Sequence, residues 1–222
     1  MPLTSFLYRY PYRITIAIAA IILGTVYLPP HFINDDLEAC DQQGRTPLIV
    51  AAEEGDREGV IGLLQRGAIV EARDGCQWTA LMKAAANGHV EIVRQLLDVR
   101  AYIDHRDKAG YSALMVAVVN GREEVATLLL ERGATADFTD DSLGWSALVW
   151  AAKDGRNIIV RKLLSAGAPV DQADHKGNTP LIWAARGKHA DVIDALLQAG
   201  ADPNRNNKEG ESAVSLGVPA PQ

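Results

Sequence analysis

Cysteine is nearly absent from this chain: Cys40 and Cys76 are the only two among 222 residues. Two thiols are too few for a disulfide scaffold or a tetrahedral thiolate zinc site. Histidine is equally sparse. His31, His89, His105, His175 and His189 form neither H-E-x-x-H nor any repeated metal spacing. A phosphate-cradling glycine loop, a G-x-S-x-G elbow and a dinucleotide fingerprint are also missing. These absences predict no catalytic residue, no cofactor, no metal site and no small-molecule substrate. Basic clusters are lacking as well, and the net charge is −6. An acidic body repels phosphate backbones, which argues against nucleic acid as a partner.

Long uncharged runs are confined to one place. Residues 14–28, ITIAIAAIILGTVYL, carry no charge and lie between Pro11 and Pro29-Pro30. Fifteen helical residues span about 22 Å against a hydrocarbon core of roughly 30 Å. Tyr8, Tyr10 and Tyr12 before the run and Tyr27 at its end can extend it to both interfaces, giving an element over residues 11–30. Arg9 and Arg13 precede it, while Asp35, Asp36 and Glu38 follow in an acidic linker over 31–40. This asymmetry predicts a cytoplasmic N-terminus and translocation of the remainder, into the periplasm in a bacterium, as a single-pass inner-membrane protein. A cleaved secretory signal that releases a soluble periplasmic or secreted protein is the alternative, although no A-x-A-like site follows the run. LEAC, residues 37–40, superficially resembles a lipoprotein box but lies well beyond it.

From Asp41 the chain repeats itself, with aligned starts at Asp41, Asp74, Asp107, Asp140 and Asp174. Each copy has a hydroxyl residue followed by a helical turn: Thr46-Pro47-Leu48, Thr79-Ala80-Leu81, Ser112-Ala113-Leu114, Ser146-Ala147-Leu148 and Thr179-Pro180-Leu181. The hydroxyl suits an N-cap, and proline is tolerated in the first turn because its missing N–H has no partner there. Glycines at 55, 88, 121 and 155 suit a left-handed turn into a second helix, which ends on leucine pairs from 63/64 to 196/197.

This pattern resembles the ankyrin repeat, carried here by DQQGRTPLIVAA at 41–52 and LLQRGA at 63–68. The resemblance covers five repeats (41–73, 74–106, 107–139, 140–173 and 174–206), with a partial sixth and a tail over 207–222. It implies an all-α ankyrin-repeat solenoid, made of helix-turn-helix plus β-hairpin units and here preceded by one transmembrane helix. The chain departs from the family at several points. Ile49, Met82, Met115, Val149 and Ile182 replace its histidine, and Gln77, Arg100 and Lys188 stand where it has turn glycines. A left-handed non-glycine residue costs about 1 kcal/mol, so repeats two and five are expected to be less regular. The truncated sixth repeat predicts fraying beyond Val214, and the extra residue of DDSLG, 140–144, predicts only a larger hairpin tip.

The resemblance further implies that a protein partner is bound through hairpin tips and the concave face of the first helices. One column there reads Arg45, Trp78, Tyr111, Trp145 and Asn178. The next reads Val50, Lys83, Val116, Trp150 and Trp183. Aligned aromatics predict an exposed ridge, with Trp145 and Trp150 both facing the groove, and such rings are enriched at binding hot spots. Packing against hairpin neighbours is the competing role. Glu53, Glu54, Asp56, Arg57 and Glu58 are expected to be solvated helix ends. Cys40 and Cys76 fall in one region of the array and can bridge in an oxidising compartment.

The function expected from these observations is a membrane-tethered protein-binding scaffold or adaptor, its membrane contact made by residues 11–30 and its repeats outside the cytoplasm. The partner is expected to be membrane-associated. Gly24 and the alanines at 17, 19 and 20 would also permit close packing against helices of an integral membrane complex, as an accessory subunit.

Overall fold

The computed structural model describes residues 37–219. The expected membrane segment, the tyrosines and arginines around it and His31 lie outside the described residues. Among the described residues, no helix is long and apolar enough to cross a membrane.

Among the described residues ten helices alternate in five pairs. The first helices are α1 (Pro47–Glu54), α3 (Ala80–Asn87), α5 (Ala113–Val119), α7 (Ala147–Lys153) and α9 (Pro180–Gly187). The second helices are α2 (Arg57–Gln65), α4 (Val90–Asp98), α6 (Glu123–Glu131), α8 (Asn157–Ser165) and α10 (Ala190–Gln198). Each first helix packs on the first helix of the next pair and each second helix on the next second helix, which makes two parallel layers.

The hydroxyl column performs as its chemistry dictates. Thr46, Thr79, Ser112, Ser146 and Thr179 each accept a hydrogen bond from the backbone N–H three residues on. Such a cap stabilises a helix by about 1 kcal/mol. Those N–H groups belong to Ile49, Met82, Met115, Val149 and Ile182, the residues in the histidine column, and all five side chains are buried. The column holds apolar groups because it lies inside the stack. Beside it Leu48, Leu81, Leu114, Leu148 and Leu181 are buried, as are Leu96, Leu129, Leu163 and Leu196 from the second layer. Each such side chain contributes roughly 1.5–3 kcal/mol on leaving water. Leu63, the first-repeat member of that second-layer column, stays half-buried because among the described residues no helix pair covers it from outside.

Gln77, Arg100 and Lys188 are the non-glycine residues with positive φ among the described residues, at 70°, 65° and 57°. The left-handed turns are therefore kept without glycine, and α4, α9 and α10 retain the lengths of their counterparts to within a residue. The expected irregularity of repeats two and five is absent.

The hairpins show little strand pairing: the bridges are Arg106 with Ser112 and Thr139 with Ser146. Their order comes from an aspartate that opens each one. Asp41, Asp74, Asp107 and Asp174 each accept the N–H groups two and four residues on, and Asn207 does the same in the sixth unit. Backbone bonds then stitch one tip to the next: Gly75 N–H to Gln43 O, Lys108 to Cys76, Asp141 to Ala109, His175 to Leu143 and Lys208 to Lys176. The ladder runs through the enlarged tip of repeat four, where Ser142 and Leu143 are exposed and the stack continues undisturbed.

Both ends differ from expectation. Leu37 is 1% exposed, and the Glu38 carboxylate accepts from Ile69 N–H at 2.9 Å. One repeat later Glu71 binds Tyr102 N–H in the same way, as Asp104 binds Thr135. Residues 37–38 therefore serve the stack as Val70-Glu71 do, and the ordered array starts within the stretch read as a linker. At the other end the chain does not fray at Val214. Ser212 and Ser215 cap one another, Val218 N–H returns to Ala213 O, and Val218 is 5% exposed. A single closed turn is enough to cover the last helix pair.

Candidate protein-binding surface

The concave face is built from the hairpin ends and the first helices, and its side chains form a connected strip. At the first repeat the Arg45 guanidinium pairs with Asp41 and Glu53. Lys83 reaches back to Glu53 at 3.1 Å and to Asp74 at 3.5 Å, and its ammonium lies 5.1 Å from the Trp78 ring centre. Burial pushes the Glu53 carboxyl upward, but the bonds from Lys83 and Arg45 outweigh it and hold the group below its ordinary value. Lys83 thus has two carboxylates and a ring around its ammonium.

The strip continues through aspartates. The Trp78 indole N–H donates to Asp107 at 2.7 Å, in the hairpin of the next repeat. Tyr111 follows, its phenol pushed above the ordinary range by burial and then by the carboxylates of Asp140 and Asp107. Trp145 comes next, with its ring centre 4.5 Å from Trp150 at an interplanar angle of 65°, and 4.8 Å from Trp183 at 59°. Edge-to-face contacts of this kind add about 0.5–1.5 kcal/mol beyond area burial. Lys153 stands 5.9 Å from the centres of both Trp145 and Trp150, and Arg186 stands 5.1 Å from that of Trp183. The Trp183 N–H donates to Asp174 at 3.0 Å, Asp174 also accepts from the Asn178 amide, and Asn178 accepts from Asn207 at 2.8 Å.

Two expectations for this face are corrected by burial. Trp145 is 7% exposed and belongs to the interior, because Trp150 and Trp183 close over both of its sides. Asn178 is 1% exposed, and its amide is consumed by Asp174 and Asn207. Val116 is buried too. Arg45, Trp78, Lys83, Tyr111, Trp150 and Trp183 are half-buried, so the ridge is a paved strip of packed rings and cations rather than a row of free rings. Trp150 stands apart among them: its indole N–H is buried and has no hydrogen-bond partner among the described residues.

The carboxylates that bind the rings were not singled out from the sequence. Asp107 and Asp174 are hairpin-opening aspartates, and in the sequence their column marks only where each repeat starts. Glu53 sat in the charged rim read as solvated, although it pairs with two cations. Cys40 and Cys76 are free and exposed. The bridge open to two thiols in an oxidising compartment is not formed here: the Cys40 thiol donates to Glu38 O at 3.6 Å.

Four histidines tie successive repeats. His89 and His189 bond the Glu53 and Lys153 carbonyls, at 3.1 and 2.9 Å, while His105 and His175 bond those of Gln77 and Ser142. Arg122 does the same toward Ala86. These side chains satisfy carbonyls at helix ends and hairpins, which accounts for them without chemistry. No group of metal-ligating side chains occurs among the described residues.

Stacked helix pairs, hairpins linked tip to tip and a paved concave face define a solenoid of the protein-binding kind. The model for ankyrin repeats (three copies) matches residues 69–140 and 133–207, and the model for a single ankyrin repeat matches residues 43–75. The chain belongs to the ankyrin-repeat family. Among solved structures it is similar to the ankyrin repeat domain of Bcl-3, described as a unique member of the IkappaB protein family. The identity is 27% and the TM-score 0.76, over 89% of this chain and 91% of that chain. No curated protein is matched. Ankyrin repeats generally bind protein partners, the fold is typically a non-enzymatic interaction domain, and no catalytic family is indicated.

Proposed function

We propose that this chain is a scaffold or adaptor that grips a protein partner on the concave strip around Trp150, while residues 11–30 hold it in a membrane. The observation that carries the binding half is Trp150 itself. It lies half-buried with its ring centre 4.5 Å from that of Trp145, and its N–H is buried without a hydrogen-bond partner among the described residues, so it offers a partner ring surface. Trp78 and Trp183, also half-buried on the strip, both have their N–H groups bonded to aspartates. The half-buried Trp150 ring, with the Lys153 ammonium 5.9 Å from the ring centre, suits an apolar partner side chain laid on the ring with a carboxylate beside it to answer Lys153.

The tether rests on the apolar run at 14–28 and on the arginines that precede it. In this reading the N-terminus is cytoplasmic, the repeats lie in the periplasm, and the partner is membrane-associated. Few residues separate Pro30 from buried Leu37, so the stack stays close to the bilayer and meets partners at raised effective concentration. Affinity purification from detergent-solubilised membranes tests this. The expected result is a full-mass chain that resists carbonate extraction and brings down one membrane protein. Recovery of a shortened chain in the soluble fraction would replace the tether with a released binding protein.

A further inference from the structure

The five repeats can be compared position by position, and one position breaks rank. At the second residue of the second helix four repeats carry an acid: Glu58, Glu91, Glu124 and Asp191. An acid there faces the positive end of the helix dipole and stabilises it. Repeat four has Ile158 instead, α8 has no acid in its first turn, and Ile158 is 58% exposed. Among the described residues it is the most exposed large hydrophobic side chain on any helix. Neither packing nor helix electrostatics explains an isoleucine at that site.

What adjoins it supplies an explanation. Ile158 lines an open groove of about 480 Å³ on the second-helix layer, away from the concave strip, together with Val90, Leu128 and Thr127. Three more lining residues, Glu123, Glu124 and Glu131, are exposed and make no ion pair among the described residues. The one cation of the lining, Arg94, is already near Glu91 at 3.7 Å. Glu123 and Glu124 sit in the first turn of α6 and favour its dipole, but Glu131 ends that helix, where the dipole disfavours a carboxylate. An exposed aliphatic anchor thus stands beside an apolar floor walled by uncompensated negative charge.

We infer that this groove is a second docking surface, which takes a basic amphipathic helix of a protein partner. Apolar side chains of that helix would cover exposed Ile158 and half-buried Val90 above Leu128, which the fold already buries, and its lysines or arginines would answer Glu123, Glu124 and Glu131. Charge complementarity selects this occupant: an anionic lipid surface or an acidic segment is repelled by the same carboxylates. The inference stands apart from the concave strip and from the tether, and either can fail without it.

The test uses the full chain in zwitterionic nanodiscs and a synthetic Lys/Leu amphipathic helix as probe, followed by fluorescence anisotropy and by methyl NMR of isoleucine and leucine. Saturable binding that moves the Ile158 and Leu128 methyl signals is expected. Ile158→Glu, which restores the residue type of the other repeats, is expected to weaken it by about tenfold or more while melting stays unchanged or rises. The triple change of Glu123, Glu124 and Glu131 to Gln should weaken it comparably, and Trp150→Ala should leave it intact. Binding that survives Ile158→Glu, or that shifts methyls elsewhere, would overturn the assignment. Equal binding of a Glu/Leu helix or of phosphatidylglycerol vesicles would do the same. Self-association abolished by Ile158→Glu would give the groove to a second copy of this chain instead.

Discussion

Trp145 meets Trp150 edge to face, with ring centres 4.5 Å apart, yet only Trp145 is buried to 7% exposure. The two rings therefore have separable roles. Removing Trp145 leaves a cavity between Trp150 and Trp183, and Trp145→Ala is expected to cost about 3–5 kcal/mol in chemical denaturation. A loss below about 1 kcal/mol would mean that the cluster is not packed as described.

The left-handed residues make a second prediction. Replacing Gln77, Arg100 or Lys188 by glycine removes a strained backbone of about 1 kcal/mol, partly offset by the entropy glycine adds to the unfolded chain. Each change should raise the denaturation midpoint slightly, and a clear fall at all three would contradict the strain argument.

Glycines separate in the opposite sense. Gly121 has φ +67°, where an L side chain is strained even after the Arg156 guanidinium swings clear of a new Cβ, so Gly121→Ala is expected to destabilise by about 1 kcal/mol. Gly62 lies inside α2 with nothing within 4 Å of a new Cβ, so Gly62→Ala should stabilise by about 0.8–1 kcal/mol. Paired melting curves of the two variants check both signs.

Acid should weaken the hairpin of repeat four. Burial pushes Asp140 upward, but bonds from Leu143 N–H, the Ser142 hydroxyl and N–H, and Trp145 N–H outweigh it, so its carboxyl titrates below the ordinary value of 3.8. A depressed folded value gives stability that is present above the unfolded value and lost as pH falls through the folded one. Stability should therefore decline below about pH 4, and Asp140→Asn should flatten that decline. An unchanged acid limb in the variant would remove Asp140 from the account.

Much of the fold could be read from residues alone, because each signal had a local cause. A hydroxyl caps a helix wherever it precedes one, and a glycine column marks a left-handed turn even when Gln77, Arg100 or Lys188 fills it. Burial on the concave face was less legible. Trp145 and Arg45 share a column, but one is enclosed by two large rings and the other faces carboxylates, so exposure depends on which side chains the adjacent repeats present. Asn178 is buried for the same reason, through Asp174 and Asn207. Leu37 escaped notice because its counterparts, Val70 and Ile103, lie at the end of a repeat rather than at the start. Ile158 was legible in principle, since comparing the first turns of the second helices isolates it without coordinates.

The proposed role of the concave strip turns on whether Trp150 serves a partner or the fold, and a single comparison decides between them. Full-length chain carrying Trp150→Ala is unfolded by denaturant and, in parallel, used to capture the partner brought down by the wild type. The account predicts a loss of capture of about 2 kcal/mol or more, with a fall in stability well below that of Trp145→Ala. Undiminished capture, or a loss of stability equal to that of Trp145→Ala, would contradict it.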